Sequence, residues 1–155
     1  MAIIESGGAN TASLTFALRR LGVESHLTAD AGRIRAASHV ILPGVGAAGD
    51  AMSRLRRAGL DELIPTLRQP LLGICLGMQL LHESSDEGGT RCLGVIPGRA
   101  RRLEATPGRP VPHMGWNTLE GFGASPLLAG IDEGAYAYFV HSYALGPGVA
   151  TQAPK

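Results

Sequence analysis

An apolar run that leads directly into a glycine–cysteine–glycine turn constrains the fold of this chain more than any other feature. Residues 71–74 are almost wholly apolar and predict a strand buried on both faces, as in the centre of a parallel sheet. The pattern over residues 76–81 predicts the beginning of a helix. Between them lies Gly73-Ile74-Cys75-Leu76-Gly77, the Gly-x-nucleophile-x-Gly form of a nucleophile elbow, with cysteine in place of serine. This order of strand, sharp turn and helix is typical of an α/β fold.

The rest of the chain extends this prediction in two halves. In the first half, strands at residues 2–4, 23–27 and 39–42 alternate with helices at 11–21, 49–57 and 60–67, the first of them capped by Asn10 or Thr11. Alternation of this kind predicts a doubly wound, mostly parallel sheet. The second half reads as a β-rich extension, with strands near 95–96, 101–104, 116–119 and 136–143 and a polar, loop-like segment at 84–91. No linker or repeat divides the 155 residues, so we expect a single domain.

Composition excludes several classes of function. Apolar residues make up 45% of the chain, charged residues 17%, and the formal net charge is +1, so a nucleic-acid or membrane-surface partner is not expected. No apolar stretch approaches the roughly 20 residues that span a bilayer, and the first residues lack a signal-peptide pattern, so a cytoplasmic protein is expected. Two cysteines are too few for a disulfide framework, and no zinc-ligand spacing occurs, so neither a metal nor a cofactor is expected.

Cys75 is the predicted nucleophile. The helix that begins after it places N-terminal amides near the sulfur, an arrangement that favours a thiolate. The amide of Leu76 is then placed to bind an oxyanion, and the Pro43-Gly44-Val45-Gly46 loop after the third strand is the candidate for a second donor. The alternative interpretation is a buried structural cysteine in a glycine-rich turn. Cys92 has no such turn and is interpreted as structural.

A cysteine nucleophile needs a base within hydrogen-bond reach. His39 opens a strand and His82 lies near a helix end, so both are interpreted as structural. His113 and His141 lie in strand-like segments and are the remaining candidates on spacing, although neither is followed two residues later by an acid. Other polar side chains with a possible site role are Gln79, Ser142 and Tyr143.

Read together, four segments resemble the class I (triad) glutamine amidotransferases, and within them the family of glutaminase subunits of imidazole glycerol phosphate synthase. The resemblance covers nearly the whole chain. Its segments are Leu42-Pro43-Gly44-Val45-Gly46, Gly73-Ile74-Cys75-Leu76-Gly77-Met78-Gln79-Leu80-Leu81, Pro112-His113-Met114-Gly115-Trp116-Asn117 and Tyr138-Phe139-Val140-His141-Ser142-Tyr143. The elbow is common to most of the class, whereas the last two segments point to this one family.

The resemblance implies a flavodoxin-like amidotransferase fold and a role for each matching position. Cys75 would attack the side-chain amide of glutamine and form a thioester. The oxyanion donors would come from Leu76 and, after a backbone rearrangement, from the loop formed by Gly44, Val45 and Gly46. The glutamine would be held by Gln79, His141, Ser142 and Tyr143. A (β/α)8 cyclase/synthase subunit would receive the ammonia, in a heterodimer that serves histidine biosynthesis, and the residues facing it would be Asn10, Met114, Trp116 and Tyr138.

One departure from the family bears on activity. The family's Phe-His-Pro-Glu segment, which supplies the triad histidine and glutamate, has no counterpart in this sequence, whose last residues are Thr151-Gln152-Ala153-Pro154-Lys155. We therefore expect a single amidotransferase domain over residues 1–155 that lacks its C-terminal segment and has little glutaminase activity in this form. Two alternatives stay open: an inactive glutaminase-like partner or scaffold, and another cysteine-elbow α/β hydrolase. The second leaves the Pro-His-Met-Gly-Trp-Asn segment without a role.

Overall fold

Four parallel strands form the main sheet of the computed structural model, which describes residues 1–7, 10–121, 123 and 125–146. The strands are β1 (Ala2–Ile4), β2 (His26–Thr28), β3 (Val40–Gly44) and β4 (Leu71–Cys75). Their order is β2-β1-β3-β4, and Gly44 at the end of β3 pairs with Cys75 at the end of β4. The parallel sheet predicted for the first half of the chain is confirmed.

Helices lie on both faces of this sheet because the strands alternate apolar side chains between the faces. On one face, Leu18 of α1 (Thr11–Arg20) packs against Ile3 and Ile41. On the other, a larger core joins Ile4 and Leu42 to α2 (Ala31–Ala36), α3 (Ala48–Arg57), α4 (Leu60–Leu63) and α5 (Leu76–Leu80). The predicted cap of α1 is Asn10, whose side chain accepts from the Ser13 amide at 3.4 Å.

The second half of the chain is rich in strands, as predicted. One mixed sheet has the order β10-β7-β5-β6, and β8 pairs with β9 in a separate antiparallel ribbon. Single turns of 3₁₀ helix connect some of these elements, at Glu87–Gly89 and Pro126–Leu128. The strand bounds are β5 (His82–Ser85), β6 (Thr90–Arg91), β7 (Ile96–Arg102), β8 (His113–Thr118), β9 (Tyr136–His141) and β10 (Tyr143–Ala144).

The prediction that residues 71–74 are buried on both faces is wrong for the described part of the chain. Within it, β4 is an edge strand, because it pairs only with β3. Leu72 and Ile74 point to the face on which α1 packs, and they are 38% and 37% exposed. Their apolar sequence is that of a central strand, but α1 packs over Ile3 and Ile41 and leaves them open.

Three other predicted boundaries moved. The loop-like segment 84–91 contains part of β5 and all of β6, which the sequence hides because these short strands are mostly polar. The second strand begins at His26 rather than at residue 23. The predicted strand 136–143 divides at Ser142 into β9 and β10, which belong to different sheets. No helix among the described residues has the length and apolar character needed to cross a membrane.

Candidate active site

Cys75 lies in the turn between β4 and α5, in a conformation that residues with a side chain rarely adopt. Its backbone angles are φ 56° and ψ −121°, and it is the one non-glycine residue with a positive φ in the described part of the chain. Such a conformation costs on the order of 1–3 kcal/mol and persists where the surrounding structure imposes it. The turn leaves the Cys75 side chain exposed to solvent at the carboxyl end of the parallel strands.

Close backbone packing explains why glycines flank this cysteine. A Cβ atom at Gly73 would come within 2.5 Å of the Met78 Cα atom, and one at Gly77 would overlap the Leu42 carbonyl group. A Cβ at Gly44 would in turn overlap the Gly77 amide nitrogen. The three glycines therefore let α5 sit directly against the ends of β3 and β4, and this contact holds the Cys75 turn in place.

A cleft of about 380 Å³ opens beside Cys75 and is called the Cys75 cleft below. Most of the residues with a predicted site role line it. Gly44 does not line the cleft itself, but it pairs with Cys75 in the β3–β4 register. The lining residues are Val45, Gly46, Cys75, Leu76, Gln79, Glu87, Pro112, Val140, His141, Ser142 and Tyr143.

Hydrogen bonds to a single carbonyl group hold one wall of the cleft. The Tyr143 carbonyl accepts from Nδ1 of His141 at 2.9 Å and from Nε2 of Gln79 at 3.5 Å. Because a carbonyl can only accept, Nδ1 of His141 is the donor in the first of these bonds. Gln79 is only 8% exposed. Its bond connects the beginning of β10 to α5, the helix that follows Cys75.

Glu87 is a cleft residue that the sequence reasoning missed. Its Oε2 atom accepts from the Ala48 amide at 2.8 Å, at the beginning of α3. The β5–β6 pairing brings it to the cleft, with Asp86 beside it accepting from the Arg102 amide at 3.1 Å and forming an ion pair with Arg99. The pKa of Asp86 is lowered, mainly by the hydrogen bond from the Arg102 amide and to a smaller extent by Arg99. The missed signal is an acidic pair in a segment that reads as loop.

A second cavity, of about 430 Å³, adjoins Cys75 on the side of the β8–β9 ribbon. Met78 and Tyr138 are among its lining residues. Trp116 pairs with Tyr138 across the ribbon, with ring centroids 5.6 Å apart. Five exposed apolar side chains share one side of the ribbon, which is called the ribbon face below: Met114, Trp116, Tyr136, Tyr138 and Val140. Of the four predicted partner residues, the ribbon face includes all but Asn10, which caps α1.

The other thiol and the other imidazoles lie in different surroundings. Cys92 is buried, and its Sγ donates to the Thr90 carbonyl at 3.6 Å. Burial raises the pKa of the Cys92 thiol, and Arg56 offsets part of that rise. His82 is buried and contacts the Met78 carbonyl at 3.1 Å through Nδ1. His113 lies opposite His141 in the ribbon, with ring centroids 5.5 Å apart.

Comparison with known proteins assigns the family. The family model for "Glutamine amidotransferase class-I" matches residues 2–154. The chain is 58% identical over 145 residues to the imidazole glycerol phosphate synthase subunit HisH of Xylella fastidiosa strain Temecula1, covering 94% of this chain and 72% of that protein. It is 55% identical over 144 residues to the HisH subunit of Xanthomonas axonopodis pv. citri, covering 93% and 72%.

A solved structure shows the same fold. The crystal structure of a glutamine amidotransferase matches 95% of this chain and 76% of its own, with a TM-score of 0.69 and 18% sequence identity. At that identity the likeness speaks for the fold alone, and the predicted amidotransferase fold is confirmed. The family model and the sequence relatives carry the finer assignment: this chain belongs to the class-I glutamine amidotransferase family and, within it, to the HisH subunits of imidazole glycerol phosphate synthase.

Proposed function

We propose that this chain hydrolyses glutamine to glutamate and ammonia through a thioester at Cys75 and passes the ammonia to a (β/α)8 synthase subunit in histidine biosynthesis. One observation carries the proposal. The strained turn presents an exposed thiol to a cleft whose walls hold the loop at 44–46 on one side and Gln79 and His141 on the other. A nucleophile, oxyanion donors and polar groups for a small amide substrate therefore share one cleft.

In the proposed reaction, the Cys75 thiolate attacks the side-chain amide carbon of glutamine. A C–S bond forms, and the carbonyl oxygen becomes an oxyanion held by the Leu76 amide and by an amide of the loop at 44–46. The C–N bond then breaks as the nitrogen gains a proton and leaves as ammonia. Water adds to the thioester, the C–S bond breaks, and glutamate leaves with Cys75 restored. Loss of one oxyanion donor typically costs about 10²–10³ in kcat.

Glu87 supplies the charge that the other end of the substrate needs. One of its carboxylate oxygens is engaged by the Ala48 amide, and the side chain lines the cleft with Cys75. We assign it to the α-ammonium group of glutamine, because a carboxylate and an ammonium group form a charge-assisted hydrogen bond. Gln79 and the segment from His141 to Tyr143 complete the binding wall.

His141 belongs to this binding wall in the proposal and is not the general base. The resemblance places His141 in the segment that holds glutamine, and its Nδ1 donates to the Tyr143 carbonyl rather than to a carboxylate such as the one that orients the histidine of a triad. The acid–base step is assigned, through the resemblance, to the histidine of the family's Phe-His-Pro-Glu segment.

The proposal is tested by glutamate release from the protein that carries this chain together with the family's Phe-His-Pro-Glu segment, in complex with its synthase partner, because the acid–base step needs that segment. We expect Cys75→Ala to abolish release and Cys92→Ala to retain it, since only Cys75 reaches the cleft. Glu87→Gln removes the charge but keeps the shape, and we expect it to raise KM for glutamine by about tenfold or more, the loss expected of a charge-assisted bond. Full release from Cys75→Ala would refute the proposal.

The ribbon face is the observation that favours a docking role beside the chemistry. Its apolar side chains are exposed, and two of them, Tyr138 and Val140, line the cavity that adjoins Cys75. We propose that the (β/α)8 subunit covers this face, so that ammonia leaves through a protected route. An inactive scaffold would keep this binding but would not release glutamate, so the same assay separates the two functions.

A further inference from the structure

We propose that Ser6, together with Arg54, positions the oxyanion loop at residues 44–46 from outside the cleft. The inference rests on the proposed function, because it concerns the loop that would bind the oxyanion. Neither residue lines the Cys75 cleft, so each would act through the loop rather than on the substrate. Their hydrogen bonds connect the strand that enters the loop with the helix that follows it.

The upstream end of the loop is held by the Ser6 hydroxyl. Ser6 is 4% exposed, and its Oγ donates to the Pro43 carbonyl at 2.9 Å. The pairing of β1 with β3 ends at Ile3 and Ile41, and successive strand residues turn their backbone groups to opposite sides. The Pro43 carbonyl therefore points toward β1 at a level where β1 offers it no amide. The hydroxyl takes the place of that missing amide, one residue before Gly44.

Arg54 connects Ser6 to the helix that follows the loop. This residue is on α3, the helix that begins at Ala48, and its Nε donates to the Ser6 carbonyl at 2.7 Å. Gly7, the next residue, packs closely against the Arg54 side chain. It has φ +72°, and a Cβ atom there would lie 2.9 Å from the Arg54 Cδ atom. Ser6 is thus bonded on one side to the strand that enters the loop and on the other to the helix that leaves it.

Such an arrangement bears on catalysis because oxyanion donors act only at short range. A donor must lie about 2.7–3.1 Å from the developing charge. Without the Ser6 hydroxyl, the buried Pro43 carbonyl would lack its partner, and the end of β3 would be free to turn toward another donor. A misplacement of about 1 Å near a reacting group can cost about 10²-fold in rate. The loop would then bind the transition state less well, while glutamine would still reach its own contacts.

The test is a comparison of kcat with KM for Ser6→Ala in the same complex, in which the family's Phe-His-Pro-Glu segment is present. We expect kcat for glutamate release to fall about tenfold, a fraction of the loss of a whole oxyanion donor. KM should stay within about twofold, because ground-state binding is left intact. Arg54→Met keeps the aliphatic stem and removes the donor, so it should lower kcat in the same way. The Ser6→Thr variant restores the hydroxyl and should recover most of the rate.

Ser53→Ala is the matched control. Its hydroxyl also donates to a backbone carbonyl, that of Gly49 at 2.8 Å, but the bond stays within α3. Alkylation of Cys75 by iodoacetamide, which needs no oxyanion donor, should be equally fast in all these variants. If Ser6→Ala and Arg54→Met keep the wild-type kcat, or if Ser53→Ala lowers it as much, the positioning role is wrong.

Two outcomes separate the positioning role from the proposed function. If glutamate release does not depend on Cys75, the proposed function fails, and the positioning role, which rests on it, fails with it. If release depends on Cys75 but not on Ser6 or Arg54, only the positioning role fails.

Discussion

At the residue scale, the site depends on a few backbone contacts around one strained cysteine. Cys75 is exposed and lies in a turn that only the surrounding structure can impose. Gly73 and Gly77 are required by close packing, because a Cβ atom on either residue would clash with the backbone of a neighbouring segment. Gly77 is the tightest of them, since its Cβ would overlap the Leu42 carbonyl.

We therefore expect Gly77→Ala to destabilise the protein by about 1–3 kcal/mol, the usual cost of overpacking. Gly49→Ala is the matched control, because Gly49 also lies in a helix and its Cβ would meet only Thr90 Oγ1, at 3.5 Å. Alanine is favoured over glycine in helices by roughly 0.5–1 kcal/mol, so this variant should be neutral or slightly stabilising. Urea unfolding measures the free energy of unfolding of the two variants. If the two values are equal, α5 can move away from β3 to make room for the added methyl group.

Residue-level prediction from the sequence is strongest where a local motif decides the geometry. The turn at Cys75 follows from the spacing of its glycines, and Cys92, which no such spacing surrounds, is buried. Glu87 was missed because its position depends on the pairing of two short polar strands. Ser6 was missed because its hydroxyl meets a residue 37 positions away, which no local pattern can indicate.

At the element scale, the β8–β9 ribbon separates two surfaces. Its alternation places His113, Phe139 and His141 on one side and the ribbon face on the other. Trp116 is 69% exposed and stacks edge-on against Tyr138. An exposed cluster of aromatic and aliphatic side chains of this kind is typical of a protein–protein interface.

Trp116→Ala should therefore weaken binding of the (β/α)8 subunit by about 2 kcal/mol or more, roughly 30-fold in Kd, as expected for a tryptophan at the centre of an interface. Leu127→Ala is the control, because Leu127 is 70% exposed but lies in the Pro126–Leu128 turn, outside the ribbon. Isothermal titration with the purified partner gives both constants. If the two variants bind equally well, the ribbon face is not the interface.

The prediction of strands was limited because their burial and pairing depend on segments that are distant in the sequence. The apolar sequence of β4 predicted burial on both faces, yet Leu72 and Ile74 are partly exposed, because α1 packs over its neighbours β1 and β3. The polar sequence of residues 84–91 predicted a loop, yet this segment contains the end of β5 and all of β6, which pair with each other. Sequence patterns report the burial that a segment favours, whereas pairing is decided by the rest of the fold.

At the scale of the whole molecule, two halves with different sheets meet at the Cys75 cleft. The parallel sheet supplies the thiol and the loop at 44–46, and the second half supplies Glu87, His141 and Tyr143. The alternation of strands and helices in the first half was enough to predict the parallel sheet. The meeting of the halves could be expected only from the resemblance to a family, because it depends on contacts between distant segments.

The central claim is that Cys75 is the nucleophile of a glutamine-binding cleft, and covalent labelling tests it most directly. A glutamine analogue that carries an electrophilic diazoketone is incubated with the protein and its partner, and modified peptides are identified by mass spectrometry. We expect one label per chain, at Cys75, with labelling slowed by added glutamine and with Cys92 unmodified because it is buried. Labelling of Cys92 to the same extent, or labelling of Cys75 that glutamine does not slow, would show that Cys75 is not the nucleophile of a glutamine-binding cleft.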